Sequence, residues 1–229
     1  MRKLWLLPLL LSVIPLCALG GNSADAARTN AKLGLAYLQK GYFEQSKERL
    51  LSALRDDPHI AASWYSMAYY LERTGNKKGA EQYYQKALSV DPHSGSAQNN
   101  YGTYLCRMGR YQEAFRYFNV AVKEPAYIDS ASAYQNAGTC ALMIPNVTLA
   151  KQYFQQALDN NPNMPFALLS LARLNYQAGD DAAADRYFDD FKKIQLHHAS
   201  PAVVAQYEAY VYKDEKHAAR LPPAAPREL

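Results

Sequence analysis

The feature that most constrains the fold is a residue register that recurs along the chain. Residues 99–125 show it clearly, because two short amphipathic segments flank the break Met108-Gly109-Arg110 and Pro125 closes the unit. Four positions of the unit recur along the chain, and we call the set of equivalent residues at each position a column. Successive members of each column lie 34, 34, 36 and 34 residues apart. The columns are a small residue in each first segment (Gly34, Ala68, Gly102, Gly138, Ala172), the break residue (Gly41, Gly75, Gly109, Pro145, Gly179), a second small residue (Ser46, Ala80, Ala114, Ala150, Ala184) and a large apolar residue (Leu50, Tyr84, Phe118, Phe154, Phe188).

A period of about 34 residues with two helices per unit is typical of tetratricopeptide (TPR) repeats. The sequence therefore predicts an all-α fold, a TPR solenoid of about five helix-turn-helix repeats plus a C-terminal capping helix. A single repeat cannot bury its own apolar face, so neighbouring repeats have to stack. The predicted array covers residues 28–198, with repeats at 27–60, 61–94, 95–130, 131–164 and 165–198. Residues 199–220 are expected to form the capping helix or a partial sixth repeat, and the proline-rich residues 221–229 a disordered tail.

The N-terminus predicts export. Arg2 and Lys3 precede an apolar run at residues 4–16, which is shorter than the ~20 residues of a membrane-spanning helix. This pattern is typical of a secretory signal peptide, assigned to residues 1–20. Residues 21–27 are small and polar, so they are expected to be a spacer.

Two cleavage sites are compatible with this leader. Ile14-Pro15-Leu16-Cys17 resembles a bacterial lipobox, which would make Cys17 a lipidated mature N-terminus. Ordinary cleavage after Ala18-Leu19-Gly20 would leave no lipid. The predicted localisation is accordingly an outer-membrane lipoprotein facing the periplasm, or a soluble periplasmic protein.

Charge and motif content argue against several functions. The formal net charge is only +4, and the basic residues are scattered, so no nucleic-acid partner is expected. No phosphate-binding glycine loop, HExxH or GxSxG motif is present, which predicts a non-enzymatic protein without a cofactor or small-molecule substrate. His197 and His198 are adjacent and face apart on a helix, so no metal site is expected there.

Cys106 and Cys140 lie on the first helices of consecutive repeats. In an exported protein a disulfide between them is chemically permitted. Two small buried thiols packed between repeats would account for them equally well.

Function is expected on the first helices, which line a concave groove in a TPR array. Amide, hydroxyl and aromatic groups at groove-facing positions suit an extended peptide or a partner helix. The predicted groove residues are Tyr65, Tyr69, Asn99, Thr103, Gln135, Thr139, Phe166, Arg173 and Tyr176.

Three stretches, NNYGTYLCRMGRYQEAFRYF, PAYIDSASAYQNAGTC and ALLSLARLNYQAGD, resemble the type IV pilus biogenesis and stability proteins of the PilF/PilW family. The motifs NNYG-x-x-LC-x-x-GRY-x-EA and NAG-x-C go beyond the general TPR pattern. The resemblance implies a pilotin, a lipoprotein that takes the outer-membrane secretin to its place and promotes its assembly. It also implies lipidation at Cys17 and docking of a secretin subunit in the groove.

The leading hypothesis is a non-enzymatic TPR adaptor for type IV pilus biogenesis, tethered to the outer membrane and binding the secretin subunit. The alternative is a soluble periplasmic TPR scaffold for another cell-envelope assembly. The two differ in the chemistry of the mature N-terminus.

Overall fold

A computed structural model describes residues 20–144, 146–196 and 199–212 of the chain. Within these ranges the structure is built from eleven α-helices and no strands, which confirms the predicted all-α repeat fold. The helices are α1 Gly20–Gln39, α2 Phe43–Asp56, α3 Ala61–Arg73, α4 Lys77–Val90, α5 Gly95–Arg107, α6 Tyr111–Ala121, α7 Ser130–Met143, α8 Val147–Asn160, α9 Pro165–Gln177, α10 Asp181–Gln195 and α11 Pro201–Tyr212.

The described residues divide into two compact units, with the boundary between Ala80 and Glu81 inside α4. In the first unit, α1 packs against α2, and α3 packs against both. In the second, α5–α6, α7–α8 and α9–α10 form antiparallel pairs, and each pair contacts the next. The odd-numbered helices α1 to α9 are the first helices of the five repeats.

Close approach of the two helices in a repeat explains the small-residue column. A Cβ atom on Gly138 would lie 2.8 Å from ring atoms of Phe154, and one on Gly102 would lie 3.0 Å from the ring of Phe118. Both rings are almost fully buried. The small residue and the large apolar residue of a repeat therefore occupy one shared space, at the density of a protein interior.

The turn between the two helices has two forms. Gly41, Gly75, Gly109 and Gly179 have φ between 78° and 89°, the left-handed conformation that ends a helix and that side chains disfavour. In repeat four, Ile144 is extended at φ −108° and ψ 145°, as expected of a residue before proline. Pro145 itself lies outside the described residues.

The core of the second unit continues to its last helix. Tyr207 and Val211 of α11 are buried, and α11 packs against α9 and α10. The 36-residue step is accommodated between α6 and α7, where the loop of residues 122–129 is longer than the other inter-repeat loops and α6 has 11 residues against 14 in each of α2, α4 and α8.

Residues 21–27, predicted to be a spacer, lie within α1, which begins at Gly20. The segment from Ser23 to Ala27 is rich in alanine, a strong helix former, and the Ala27 side chain is fully buried. Burial of Ala27 therefore accounts for the N-terminal extension of α1, which the small and polar composition of this segment did not predict.

Several predictions fall on residues outside the described ranges. They concern the leader and Cys17, the histidines at 197 and 198, the segment after α11 and the tail at 221–229. Among the described helices, none is both long and apolar enough to cross a membrane.

Replacing Gly138 by valine should destabilise the fold by about 1–3 kcal/mol, because the new side chain would overlap the Phe154 ring. Urea unfolding followed by circular dichroism measures the change in the free energy of unfolding. Thr139→Val is the matched control, since Thr139 is the exposed neighbour and should change the stability by no more than about 0.5 kcal/mol. Equal stability of the two variants would contradict the close helix approach.

Candidate partner-binding face

Two parallel rows of side chains lie on adjacent first helices of the second unit. Residues spaced i, i+4, i+7 and i+8 share one face of a helix, and α5 and α7 pack against each other. We call these two rows together the α5–α7 face. Its members are Asn99, Thr103, Cys106 and Arg107 on α5, and Gln135, Thr139, Leu142 and Met143 on α7.

Amide side chains form the N-terminal end of the face. The Asn136 Nδ2 donates to Asn99 Oδ1 at 3.0 Å, so one hydrogen bond joins α7 to α5. Asn99 and Gln135 are each only 8% exposed. Within the described part of the chain, no group donates a hydrogen bond to the buried Oε1 of Gln135. Ser46 Oγ and Gln98 Oε1 are buried without a partner in the same way within the described residues, so this oxygen does not by itself mark a binding position.

Hydroxyl groups occupy the middle of the face. Thr103 Oγ1 donates to the carbonyl of Asn99 at 2.8 Å, and Thr139 Oγ1 donates to the carbonyl of Gln135 at 3.0 Å. Each hydroxyl proton is thereby held by the threonine's own helix. Towards a partner these two side chains can act only as acceptors.

Cys106 and Cys140 form a disulfide that joins α5 to α7, with their Cα atoms 5.8 Å apart. The sequence left a bridge and two packed thiols equally open, and the structure has the bridge. Cys140 is fully buried and Cys106 is 7% exposed. A bridge that closes a loop of 34 residues stabilises a fold by about 3–4 kcal/mol. The helices that carry the candidate face are thus covalently fixed to each other.

Apolar side chains form the C-terminal end of the face on α7. Leu142 is 42% exposed and Met143 is 59% exposed. The α5–α7 face therefore changes along its length from buried amides through hydroxyls to exposed apolar groups.

The predicted groove residues of repeat five contact other helices. The Arg173 guanidinium lies 4.4 Å from the ring centroid of Tyr210 in α11, and the Tyr176 ring meets the Tyr212 ring edge-on at 5.2 Å. Phe166 packs edge-on against Phe154 of α8 at 6.0 Å. These three side chains are half-buried, so much of their surface is already in contact within the chain.

Tyr65 and Tyr69 belong to the first unit. Both are half-buried, and the Tyr69 hydroxyl accepts a hydrogen bond from Arg73 at 3.0 Å. Of the nine predicted groove residues, the structure brings Asn99, Thr103, Gln135 and Thr139 together on the α5–α7 face.

An ion-pair network holds α5 against α4 and α6. The Tyr101 hydroxyl donates to Glu81 at 3.1 Å, and Arg110 bonds both Glu81 and Glu113. Burial raises the pKa of Tyr101 to about 12, and the Arg110 guanidinium lowers the pKa of Glu113. At neutral pH the tyrosine therefore stays a donor and the carboxylate stays charged, which keeps this support for the face intact.

Sequence reasoning missed Asn136, Leu142 and Met143. Asn136 is the repeat-four equivalent of Asn100, which follows the predicted groove residue Asn99. A comparison of equivalent positions in the two repeats could therefore have identified it. Leu142 and Met143 could be read only as core residues until their exposure was known. In the described ranges, no group of three or more His, Cys, Asp or Glu side chains is arranged to hold a metal ion.

Comparisons with known proteins first define the class. Tetratricopeptide repeat family profiles match residues 31–94 and 146–194, and a second profile of that description matches residues 83–116. Together with the helix pairs and turn glycines, these matches establish a TPR protein.

The comparisons also identify the family to which the chain belongs among TPR proteins. The chain is 32% identical over 195 residues to the type IV pilus assembly protein PilF of Pseudomonas aeruginosa, covering 85% of this chain and 77% of PilF. A solved structure of P. aeruginosa PilF has a TM-score of 0.68 at 30% identity, covering 86% of this chain and 89% of that structure. The structure of PilW, a widely conserved type IV pilus biogenesis factor, has a TM-score of 0.66 at 26% identity, covering 85% and 89% of the respective chains. The chain belongs to the PilF family of type IV pilus assembly proteins, which confirms the resemblance found in the sequence.

We expect protein purified from Gly20 onward without reductant to contain no free thiol from Cys106 or Cys140, because the two are bridged. Titration with a thiol reagent in denaturant, before and after reduction, measures this directly. Reduction should release two thiols. Two free thiols in the unreduced protein would rule the bridge out.

Proposed function

We propose that this protein is a non-enzymatic TPR adaptor that localises and assembles the outer-membrane secretin of a type IV pilus machinery, in the manner of a pilotin. The observation that carries the proposal is the 32% identity to the pilus assembly protein PilF over 85% of this chain. The secretin subunit is the proposed partner.

The α5–α7 face supports a role in protein binding. It combines two threonine oxygens and two exposed apolar side chains on helices that are joined by a disulfide. A preorganised surface loses little conformational freedom when a partner docks, so more of the contact free energy appears as affinity. This face is the proposed docking surface for the secretin subunit.

Membrane attachment through Cys17 is the second part of the proposal. The sequence Ile14-Pro15-Leu16-Cys17 would supply the lipidated cysteine. One acyl chain gives only marginal membrane binding, whereas several chains on one cysteine would anchor the protein stably. Attachment and secretin binding in one chain would bring the secretin subunit to the outer membrane.

Deletion of the gene tests the function. We expect heat-stable secretin multimers to disappear from the outer-membrane fraction and surface pili to be lost, with both restored by the wild-type gene on a plasmid. Electrophoresis of unboiled membranes and electron microscopy measure these outcomes. Normal multimers and normal pili in the deletion strain would refute the proposal.

Mass spectrometry of the mature protein tests the anchor. We expect an N-terminal cysteine, Cys17, carrying acyl chains, and we expect Cys17→Ser to abolish membrane fractionation while leaving the folded domain unchanged. An unmodified N-terminus near Gly21 would instead favour a soluble periplasmic scaffold.

A further inference from the structure

The first helix of repeat one is longer than the first helices of the other repeats. Helix α1 has 20 residues, whereas α3, α5, α7 and α9 have 13 or 14. The repeat register begins at Ala27, so residues 20–26 of α1 precede it. At about 1.5 Å per residue, this segment adds about 10 Å of helix. We call residues 20–26 the helical stalk.

The helical stalk is continuous with the folded part of the first unit. Ala27, directly after it, is fully buried, and Ser23, Ala24 and Ala26 within it are half-buried. A short helix behaves as a semi-rigid spacer, unlike a chain of small and polar residues in a coil. The direction of α1 therefore determines from which side the preceding residues reach repeat one.

The stalk, the loop at residues 57–60 and Trp64 lie at the same end of the first unit. Asn30 Nδ2 donates to Asp56 Oδ2 at 2.8 Å, which places the C-terminal end of α2 beside the start of repeat one. The Trp64 indole N–H donates to the Pro58 carbonyl at 2.7 Å, so the start of α3 lies there too. We call this end of the first unit the stalk end.

The proposed lipid anchor is close to the stalk end in the sequence. Cys17 lies outside the described residues, three positions before Gly20. Three residues of fully extended chain reach about 11 Å at most. With the stalk included, repeat one therefore lies within about 21 Å of Cys17. Because acyl chains on Cys17 would enter the bilayer at this residue, the stalk end would be held next to the lipid headgroups.

The stalk end has no charge that would attract it to an anionic membrane. Its carboxylates, on Asp25, Asp56 and Asp57, outnumber the guanidinium groups of Arg28 and Arg55. Anionic lipids attract clusters of basic side chains, and a mixed surface with an excess of carboxylates gains nothing from them. Lipid affinity of this surface therefore does not account for any contact with the bilayer.

Helix α1 is also poorly suited to lie along a membrane. A helix that lies in the interface plane needs an apolar face with several large side chains. Among the exposed side chains described for α1, Leu33 is the only large apolar one. An orientation with α1 flat on the lipid would thus gain little free energy.

We propose that the stalk end of the first unit faces the membrane surface, with α1 directed away from it. The short anchor, rather than affinity of the protein surface for lipid, sets this orientation. The turn at residues 40–42 is then the far end, because Gln39 lies about 29 Å along α1 from Gly20. The inference rests on the proposed function in one respect, since it requires acylation of Cys17.

The tryptophan content of the chain makes the orientation measurable. The sequence has two tryptophans, Trp5 in the predicted leader and Trp64 at the stalk end, so a chain that begins at Cys17 keeps only Trp64. The acylated protein is reconstituted into vesicles of phosphatidylethanolamine and phosphatidylglycerol that contain a dansyl-labelled headgroup. Energy transfer from tryptophan to dansyl measures the distance to the membrane surface. Trp64→Phe combined with Tyr42→Trp moves the donor to the far end, where Tyr42 is 53% exposed.

We expect transfer from Trp64 to be at least about twofold more efficient than transfer from a tryptophan at position 42, because the length of α1 separates the two ends. Circular dichroism checks that the double variant is folded. Equal transfer from both positions, with Cys17 acylated, would show that the first unit lies flat or turns freely. That result would overturn the inference and leave the proposed anchor standing.

A longer tether tests whether the anchor sets the orientation. A flexible glycine–serine segment of about 12 residues, inserted between Leu19 and Gly20, adds a root-mean-square reach of about 20 Å. We expect both efficiencies to fall and the difference between the two positions to disappear. The same segment added after Leu229 is the matched control and should change neither efficiency. A difference that survives the insertion would assign the orientation to lipid affinity, which contradicts the inference.

The chain without its lipid tests the same point directly. A protein that begins at residue 17 with Cys17→Ser should stay in the supernatant when the same vesicles are sedimented. Its binding to the vesicles would reveal a lipid-binding surface and overturn the inference. Mass spectrometry of the wild-type protein separates this outcome from failure of the proposed function, because an unmodified Cys17 would remove the anchor itself and overturn both.

Discussion

The close contact between a small residue on one helix and a large apolar side chain on the next sets the geometry of the helix pairs. A Cβ added at Gly138 would lie only 2.8 Å from the Phe154 ring, so any larger residue there would force the two helices of repeat four apart. The contact fixes which face of α7 is buried. It thereby fixes which face, with Gln135, Thr139 and Met143, is left for other contacts. In this repeat fold the packing between helices determines where a partner can bind.

Two cross-links then hold the α5–α7 face together across the boundary between repeats. The Asn136–Asn99 hydrogen bond joins the helices near one end of the face, and the Cys106–Cys140 disulfide joins them nearer the other. Packing between repeats alone would allow small relative motions, because each repeat contacts only its neighbours. A covalent bridge and a largely buried amide pair restrict such motions at the place where the chain is proposed to bind its partner.

The repeat register predicted the helix pairs and the turn glycines, because each depends only on spacing along the chain. It could not predict which groove positions stay accessible. Arg173 and Tyr176 fit the groove columns, yet α11 packs on them, and the register carries no information about a helix beyond the last repeat. Asn99 was predicted at the groove, but its pairing with Asn136 depends on two repeats coming together in space. The extended start of α1 depends on burial of Ala27, a tertiary contact that overrides local composition.

The disulfide also bears on the proposed export of the chain. Thiols stay reduced in the cytoplasm, so a precursor with the predicted leader would lack the bridge and the ~3–4 kcal/mol that such a bridge contributes. Translocation of an unfolded chain is easier when its native state is weak. Oxidation after export would then close the loop between Cys106 and Cys140 and stabilise the second unit in the compartment where it works. The reduced protein would thus be the less stable form that is translocated, and the oxidised protein the more stable form after export, because the two compartments differ in redox conditions.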